Sequence, residues 1–297
     1  MNSSDRYARL AAHMGAALHC RLASRPAATV SGGSIANSVC WPTVDGPLFV
    51  KLAPRAQQDM FAAEAASLAE LRRARALRVP SVRAVGATDS DAYLALEWLD
   101  LRSPTPAAEA ELGRQLAGQH RVTAAGFGWQ RDNYIGSTPQ PNEPAAPWST
   151  FYRDRRLAPQ FALAARNGFN GMLQRCGTRL LENLDLVFAG HRPPPALLHG
   201  DLWSGNRAMT AAGEPVIFDP AVYYGDREAD LAMTRLFGGF GPAFYAAYET
   251  AWPSDPGAKR RAPVYDLYHV LNHLNLFGGG YLAQAEAIIV QLETSIR

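Results

Sequence analysis

The chain has 297 residues, 47% of them hydrophobic and 19% charged, with a formal net charge of +2. That is apolar material for a sizeable core, in one two-lobed domain or two small ones, and it excludes bulk disorder. The basic residues are scattered, no apolar run approaches the ~20 residues of a membrane-spanning helix, and Met1 to Leu10 is too polar for a secretory signal; the expectation is a cytoplasmic protein that binds a small molecule, not nucleic acid or membrane.

Ser3 and Ser4 can cap a helix in which Tyr7, Leu10, Ala11, Met14 and Leu18 share one face. After Pro26 the pattern changes to strands over 27–30, 36–44 and 47–52, with Asp45-Gly46 as a hairpin turn. Between the first two strands lies Ser31-Gly32-Gly33-Ser34. Gly32 and Gly33 let backbone N–H groups approach phosphates without Cβ interference, and serines such as Ser34 can add donors; a plain turn would use the same residues. What favours the phosphate reading is Lys51, set in the apolar strand Phe49-Val50-Lys51-Leu52, where an unpaired ammonium would be costly. The helix that follows, 57–73, presents Glu64 beside Met60, Phe61, Leu68 and Leu71. A Lys51–Glu64 pair satisfies both charges and aims the lysine at nucleotide phosphates, with Glu70 as the competing partner.

Pro80 opens a second hairpin, 81–87 and 92–98, turning at Asp89 to Asp91. Glu97, Trp98 and Leu99 then form a hinge, which divides the chain into a nucleotide-binding lobe over 1–98 and a catalytic and acceptor-binding lobe over 99–297. The second lobe reads as mainly helical. A helix over 107–123 carries His120, read as a satisfied core histidine; 127–147 is a long aromatic and Pro-rich loop of the kind that binds ligands; helices follow over 148–165 and 168–188. The three cysteines, Cys20, Cys40 and Cys176, are too widely spaced for a disulfide framework or a metal knuckle and are expected as thiols.

The chemistry is concentrated in 197–220, LLHGDLWSGNRAMTAAGEPVIFDP. The apolar run 196–198 delivers His199, Gly200 and Asp201 into a loop ending at Asn206, and Val216-Ile217-Phe218 delivers Asp219. That order suits phosphoryl transfer. Asp201 can accept the proton of an attacking hydroxyl, while Asn206 and Asp219 supply the hard oxygen ligands that Mg²⁺ prefers, leaving coordination positions for ATP phosphates. A tight turn or a strand-end cap would account for either half alone but not for both in sequence. The next helix starts almost at once, with Asp226 as cap and Asp230 as a structural group paired to backbone or Arg, leaving little room for a phosphorylation-controlled activation loop. Helices over 242–251, 262–276 and 281–296 complete the chain; His269 and His273, one turn apart, lack a third ligand and are read as packing residues.

HGDLWSGN followed by DPAVYYGDREADLAMTRLFGGF, with MFAAEAASL around Glu64, DNYIGSTPQPN and HVLNHLNLFGGGY, resembles the fructosamine kinase (ketosamine-3-kinase) family over almost the whole chain. That family is itself similar to the aminoglycoside phosphotransferase and choline kinase group. The resemblance implies an α+β, bilobal protein-kinase-like fold with a small antiparallel-sheet N-lobe and a larger, mainly helical C-lobe. It implies ATP and Mg²⁺, with adenine hydrogen-bonded by the main chain of the hinge at Glu97 and Leu99. It also implies the acceptor: a ketosamine such as ribulosamine or fructosamine, free or on a lysine of a glycated protein, phosphorylated at O3 so that the unstable product sheds its sugar. Trp203, a tryptophan in a polar catalytic loop, could stack on that sugar or contact its cationic amine, or could pack the loop. A monomer is the favoured state. Two alternatives remain: an aminoglycoside- or choline-type phosphotransferase, which would carry a more acidic acceptor pocket, and a non-catalytic pseudokinase, against which the joint retention of Lys51, Asp201, Asn206 and Asp219 argues.

Overall fold

A computed structural model describes residues 3–30 and 37–295. The glycine turn with Gly32, Gly33 and Ser34 lies outside the described residues.

Helix α1 (Ser3–Leu18) precedes a five-stranded antiparallel sheet made of β1 (Ala28–Val30), β2 (Asn37–Thr43), β3 (Gly46–Pro54), β4 (Val82–Ala87) and β5 (Asp91–Glu97), in the order β1-β2-β3-β5-β4. The two-residue period of a strand sorts its side chains between two cores. Leu48, Val50 and Leu52 of β3, with Tyr93 and Ala95 of β5, meet Leu10, Ala11 and Met14 of α1. Lys51 and its neighbours Phe49 and Ala53 face the other way, with Ala92, Leu94 and Leu96, toward helix α2 (Gln58–Ala74) and its Phe61, Leu68 and Leu71. This second core is continuous with that of the large lobe, where Leu112, Leu116 and Ile217 join it.

After β5, β6 (Leu101–Arg102) is the edge of a three-stranded sheet, order β11-β10-β6, whose other strands are β10 (Arg207–Thr210) and β11 (Pro215–Ile217). A second pair joins β9 (Ala196–Leu198) to β12 (Tyr223–Gly225). These strand pairs hold the two ends of the 197–220 stretch. They rest on α3 (Pro106–His120), which Thr105 caps by accepting the Ala108 amide at 3.3 Å. Gly113 lets α3 approach α9 (Pro242–Ala251) closely, since a Cβ there would lie 2.3 Å from the Phe244 carbonyl.

Three expectations need correction. The 127–147 stretch is not simply a loop: it contains a hairpin, β7 (Asn133–Ile135) and β8 (Thr138–Gln140), held by an amide network in which Gln140 and Asn142 both donate to Asn133 Oδ1 at 2.8 Å. Helix 148–165 is interrupted: α4 (Trp148–Tyr152) passes through a wide π turn, Arg153–Leu157, into α5 (Ala158–Arg166). The helix expected from Gly168 begins only at Met172, because Gly168 and Gly171 adopt φ of 91° and 74°, and it divides at Asn183 into α6 (Met172–Glu182) and α7 (Leu184–Val187). The C-terminal helices follow the reading closely: α8 (Glu228–Leu236), α9, α10 (Ala258–Phe277) and α11 (Leu282–Ser295). Among the described residues no helix is long and apolar enough to cross a membrane.

Candidate active site

Strand β3 delivers Lys51 into the cleft between the lobes, where its Nζ lies 2.6 Å from Glu64 Oε1 of α2 and 2.7 Å from Asp219 Oδ1. Burial opposes the ammonium charge, but the Asp219 and Glu64 carboxylates outweigh it and hold the lysine well above its ordinary range. Glu70 is not a competitor, because its carboxylate is taken by the Tyr224 hydroxyl at 2.7 Å and by Arg73. The bond from Lys51 to Asp219 has no signal in the sequence beyond the two residues themselves.

The loop that carries Asp201 leaves β9 at His199. Gly200, at φ 83°, passes so close to the chain after Asp219 that a Cβ would lie 2.0 Å from the Ala221 carbonyl. Asp230 of α8 fixes the loop from below: it accepts the His199 amide at 2.8 Å, the Gly200 amide at 2.9 Å and the His120 Nε2 at 3.1 Å, while the other His120 nitrogen meets the Tyr248 hydroxyl at 2.8 Å. His120 is therefore the satisfied core histidine expected, and Asp230 pairs with backbone and histidine, not with an arginine. His199 is buried, which lowers its affinity for a proton. Its Nε2 bonds the Phe218 carbonyl at 3.0 Å, and its Nδ1 accepts the Asp201 amide at 3.3 Å. One imidazole thus ties the loop bearing Asp201 to the segment after β11 that carries Asp219.

Asp219 itself adopts φ 59°, a left-handed conformation that a non-glycine residue holds only under constraint. The constraint is visible on both sides: the Phe218 amide donates to the Asn206 carbonyl at 3.1 Å and the Ala221 amide to the His199 carbonyl at 2.8 Å. Asn206 spends its amide nitrogen on the Asp201 carbonyl at 2.8 Å, with longer approaches of 3.5 Å to Asp201 Oδ2 and to the Asp219 carbonyl. Its Oδ1 has no hydrogen-bond partner among the described residues. That oxygen and the Asp219 carboxylate make a donor set suited to a hard divalent cation. Asp201, half-buried, has its carboxyl pushed up to about 7, by burial first and then by the charges of Asp219 and Asp230, with Asn206 opposing.

Trp203 is 39% exposed, and its ring lies over Gly205, where a Cβ would come within 2.2 Å of it. At the end of β5, the expected hinge, the Glu97 side chain is engaged by the Ser81 amide at 2.7 Å and by Arg78 at 2.9 Å, and the Glu97 amide donates to the Ser81 carbonyl. The Trp98 side chain lines a cavity of about 270 Å³ with Leu18, Cys20 and Leu48; Leu99 is half-buried. Asp226 is not the expected cap of α8, a position held by Arg227 with no side-chain bond; from one residue further out it accepts the Glu228 amide at 3.1 Å, and it also meets His191 and Tyr265. His273 bonds the His269 carbonyl through Nδ1 and packs among Phe237, Phe277 and Tyr281. The backbone pairing expected of Asp230 is found, at the amides of His199 and Gly200, whereas the sequence reading gave His199 no partner; its only signal was a histidine two residues before Asp201.

The fructosamine kinase family model matches residues 7–295. A Synechocystis sp. protein named "probable ketoamine kinase" is 44% identical over 264 residues, 89% of this chain and 88% of its own. The chloroplastic protein-ribulosamine 3-kinase of Arabidopsis thaliana is 40% identical over 264 residues, 88% of this chain and 80% of its own. Among solved structures, a protein of Thermobifida fusca named for fructosamine-3-kinase superposes with a TM-score of 0.84 at 35% identity, covering 96% of this chain and 98% of that one. An aminoglycoside phosphotransferase crystallised with ADP and hygromycin B matches with a TM-score of 0.63 at 15% identity, over 97% of this chain and 98% of its own, a likeness of fold.

Proposed function

Since the chain belongs to the fructosamine kinase family, we propose that it transfers the γ-phosphoryl of ATP to O3 of a ribulosamine or fructosamine adduct, free or on a protein lysine, with Asp201 as the base. The coarser activity, an ATP-dependent phosphotransferase acting on a hydroxyl of ketosamines, goes with the family and with relatives at about 40% identity. The observation that supports Asp201 as the base is that Asn206 links it to Asp219, which in turn bonds Lys51 beside Glu64; the acceptor rests on the family.

Lys51, anchored by Glu64, presents its charge to the phosphates of ATP, and the hinge main chain at Glu97 and Leu99, beside Trp98, holds the adenine. Asn206 Oδ1 and the Asp219 carboxylate would hold Mg²⁺, which supplies neutralisation of the phosphate charge. A carboxylate whose proton affinity sits near 7 is matched to taking a hydroxyl proton at neutral pH. The half-exposed face of Trp203 offers a stacking surface for the acceptor sugar. Little covalent chemistry is asked of the protein; positioning and charge do most of the work.

Phosphate transfer from Mg-ATP to ribuloselysine, fructoselysine, kanamycin and choline tests this directly, with Asp201→Asn alongside. Transfer to a ketosamine that falls at least about a hundredfold in the variant is expected. Transfer confined to kanamycin or choline would overturn the acceptor, and an active Asp201→Asn would overturn the base.

A further inference from the structure

Lys51 is useful to a nucleotide only while α2 keeps Glu64 against it. Within the small lobe, Phe61, Leu68 and Leu71 seat the helix on the sheet, an apolar contact with little directionality. Arg72 in the last turn of the helix donates to the Ser81 hydroxyl at 2.6 Å within the same lobe, but the directional contacts at Asp59 and Glu70 come from the other lobe. In the first turn of α2, the Asp59 carboxylate accepts from Arg131 Nη2 at 2.9 Å and from the Tyr134 hydroxyl at 3.1 Å. Near its other end, the buried Glu70 carboxylate accepts from the Tyr224 hydroxyl at 2.7 Å. Glu64 stands between the two.

These partners belong to one hydrogen-bonded unit. Gly128 and Tyr224 exchange backbone bonds of 2.9 Å in both directions, Asn133 Nδ2 donates to the Val222 carbonyl at 2.8 Å, and Gln140 Nε2 to the Ala221 carbonyl at 3.1 Å. Residues 221–224 follow Asp219 after the single residue Pro220. The segment that carries Asp219 is therefore welded to the groups that grip both ends of the helix carrying Glu64, and Lys51 bonds both carboxylates.

We propose that Tyr224–Glu70 and Arg131/Tyr134–Asp59 are the two halves of an interlobe clasp that fixes α2 with Glu64 on Lys51, which makes Tyr224 a positioning residue for nucleotide binding. The clasp rests on the kinase reading of the site. It does by constant hydrogen bonds what a phosphorylated activation segment does in protein kinases, where new charge pairs order the equivalent helix. Burial, and then Glu70, push the Tyr224 phenol up to about 12, so it stays a donor at any working pH.

Tyr224→Phe removes one oxygen from a contact that lines an open cleft of about 940 Å³ shared with Trp129 and Arg131, and so leaves the core intact. Calorimetric titration with AMP-PNP and Mg²⁺ is expected to show affinity weakened by about fivefold or more, as for loss of a hydrogen bond to a charged group. The KM for ketosamine should change by less than about twofold and the melting temperature by only a few degrees. In a Glu64→Gln background the same substitution should add almost nothing, because the clasp acts through Glu64. Arg131→Gln should reproduce a smaller part of the effect. Unchanged nucleotide affinity in Tyr224→Phe, or an undiminished loss in the Glu64→Gln background, would overturn the clasp. A wild-type protein that binds nucleotide but phosphorylates no ketosamine would sink the acceptor assignment and leave the clasp standing on the titration; one that binds no nucleotide would sink both.

Discussion

Replacing Asp230 by Asn changes one oxygen for an NH₂ and leaves the volume of the site nearly constant. The native carboxylate is almost wholly buried and accepts three bonds: the Gly200 amide on Oδ1, and the His199 amide and His120 Nε2 on Oδ2. Whichever way the new amide turns, its NH₂ faces at least one N–H donor, so one or two charge-assisted bonds become donor–donor contacts. At about 1.5–3 kcal/mol for a hydrogen bond to a charged group, the smaller loss, on the Oδ1 side, destabilises the fold by roughly 2–3 kcal/mol. Because the lost bonds hold the backbone just before Asp201, the same change should lower kcat by about tenfold or more with a smaller effect on KM. Urea unfolding and steady-state kinetics on one preparation measure both. The histidine contacts also hold the Asp230 carboxyl below its usual range in spite of burial. Its folded affinity for protons is thus lower than its unfolded one, and its contribution is complete above about pH 4 and lost as pH falls through the depressed folded value. The variant should lack that part of the acid limb. An Asp230→Asn protein as stable and as fast as wild type would refute the view that this carboxylate supports the loop that carries Asp201.

Gly200→Ala places a methyl group 2.0 Å from the Ala221 carbonyl at a φ of 83°, so it should cost about 2 kcal/mol or more, read as a fall in melting temperature, and should depress transfer with it; a neutral substitution would contradict the geometry. His269 is buried, and burial, followed by the neighbouring His273, pushes its imidazole down to about 3. The unfolded chain takes that proton near pH 6.5 and the folded one does not, so His269 should erode stability below pH 6.5 by up to about 1.4 kcal/mol per pH unit, and denaturation of His269→Gln against pH should show a shallower slope between pH 6 and 4. Trp203→Ala should raise the KM for ketosamine far more than that for ATP; equal losses would mean that the ring only packs on Gly205.

Features that lie close along the chain were legible before any coordinates. Lys51 within an apolar strand, Glu64 on one face of the following helix, and Asp201, Asn206 and Asp219 at loop and strand ends are set by local period and spacing, which is why the small sheet and the helical large lobe could be read from the residues, while the family came from the resemblance of whole motifs such as HGDLWSGN. Where local geometry departs from the average the reading failed: Gly168 and Gly171 delay a helix, and a network of side-chain amides turns a Pro-rich stretch into a hairpin. Partners across the chain came from packing. Lys51 reaches Asp219 across 168 positions, Glu70 goes to Tyr224 across 154, and Asp230 turns back to the amides of His199 and Gly200. Such pairings depend on where two elements come to rest against each other, a property of the packed core that no periodicity within either element records.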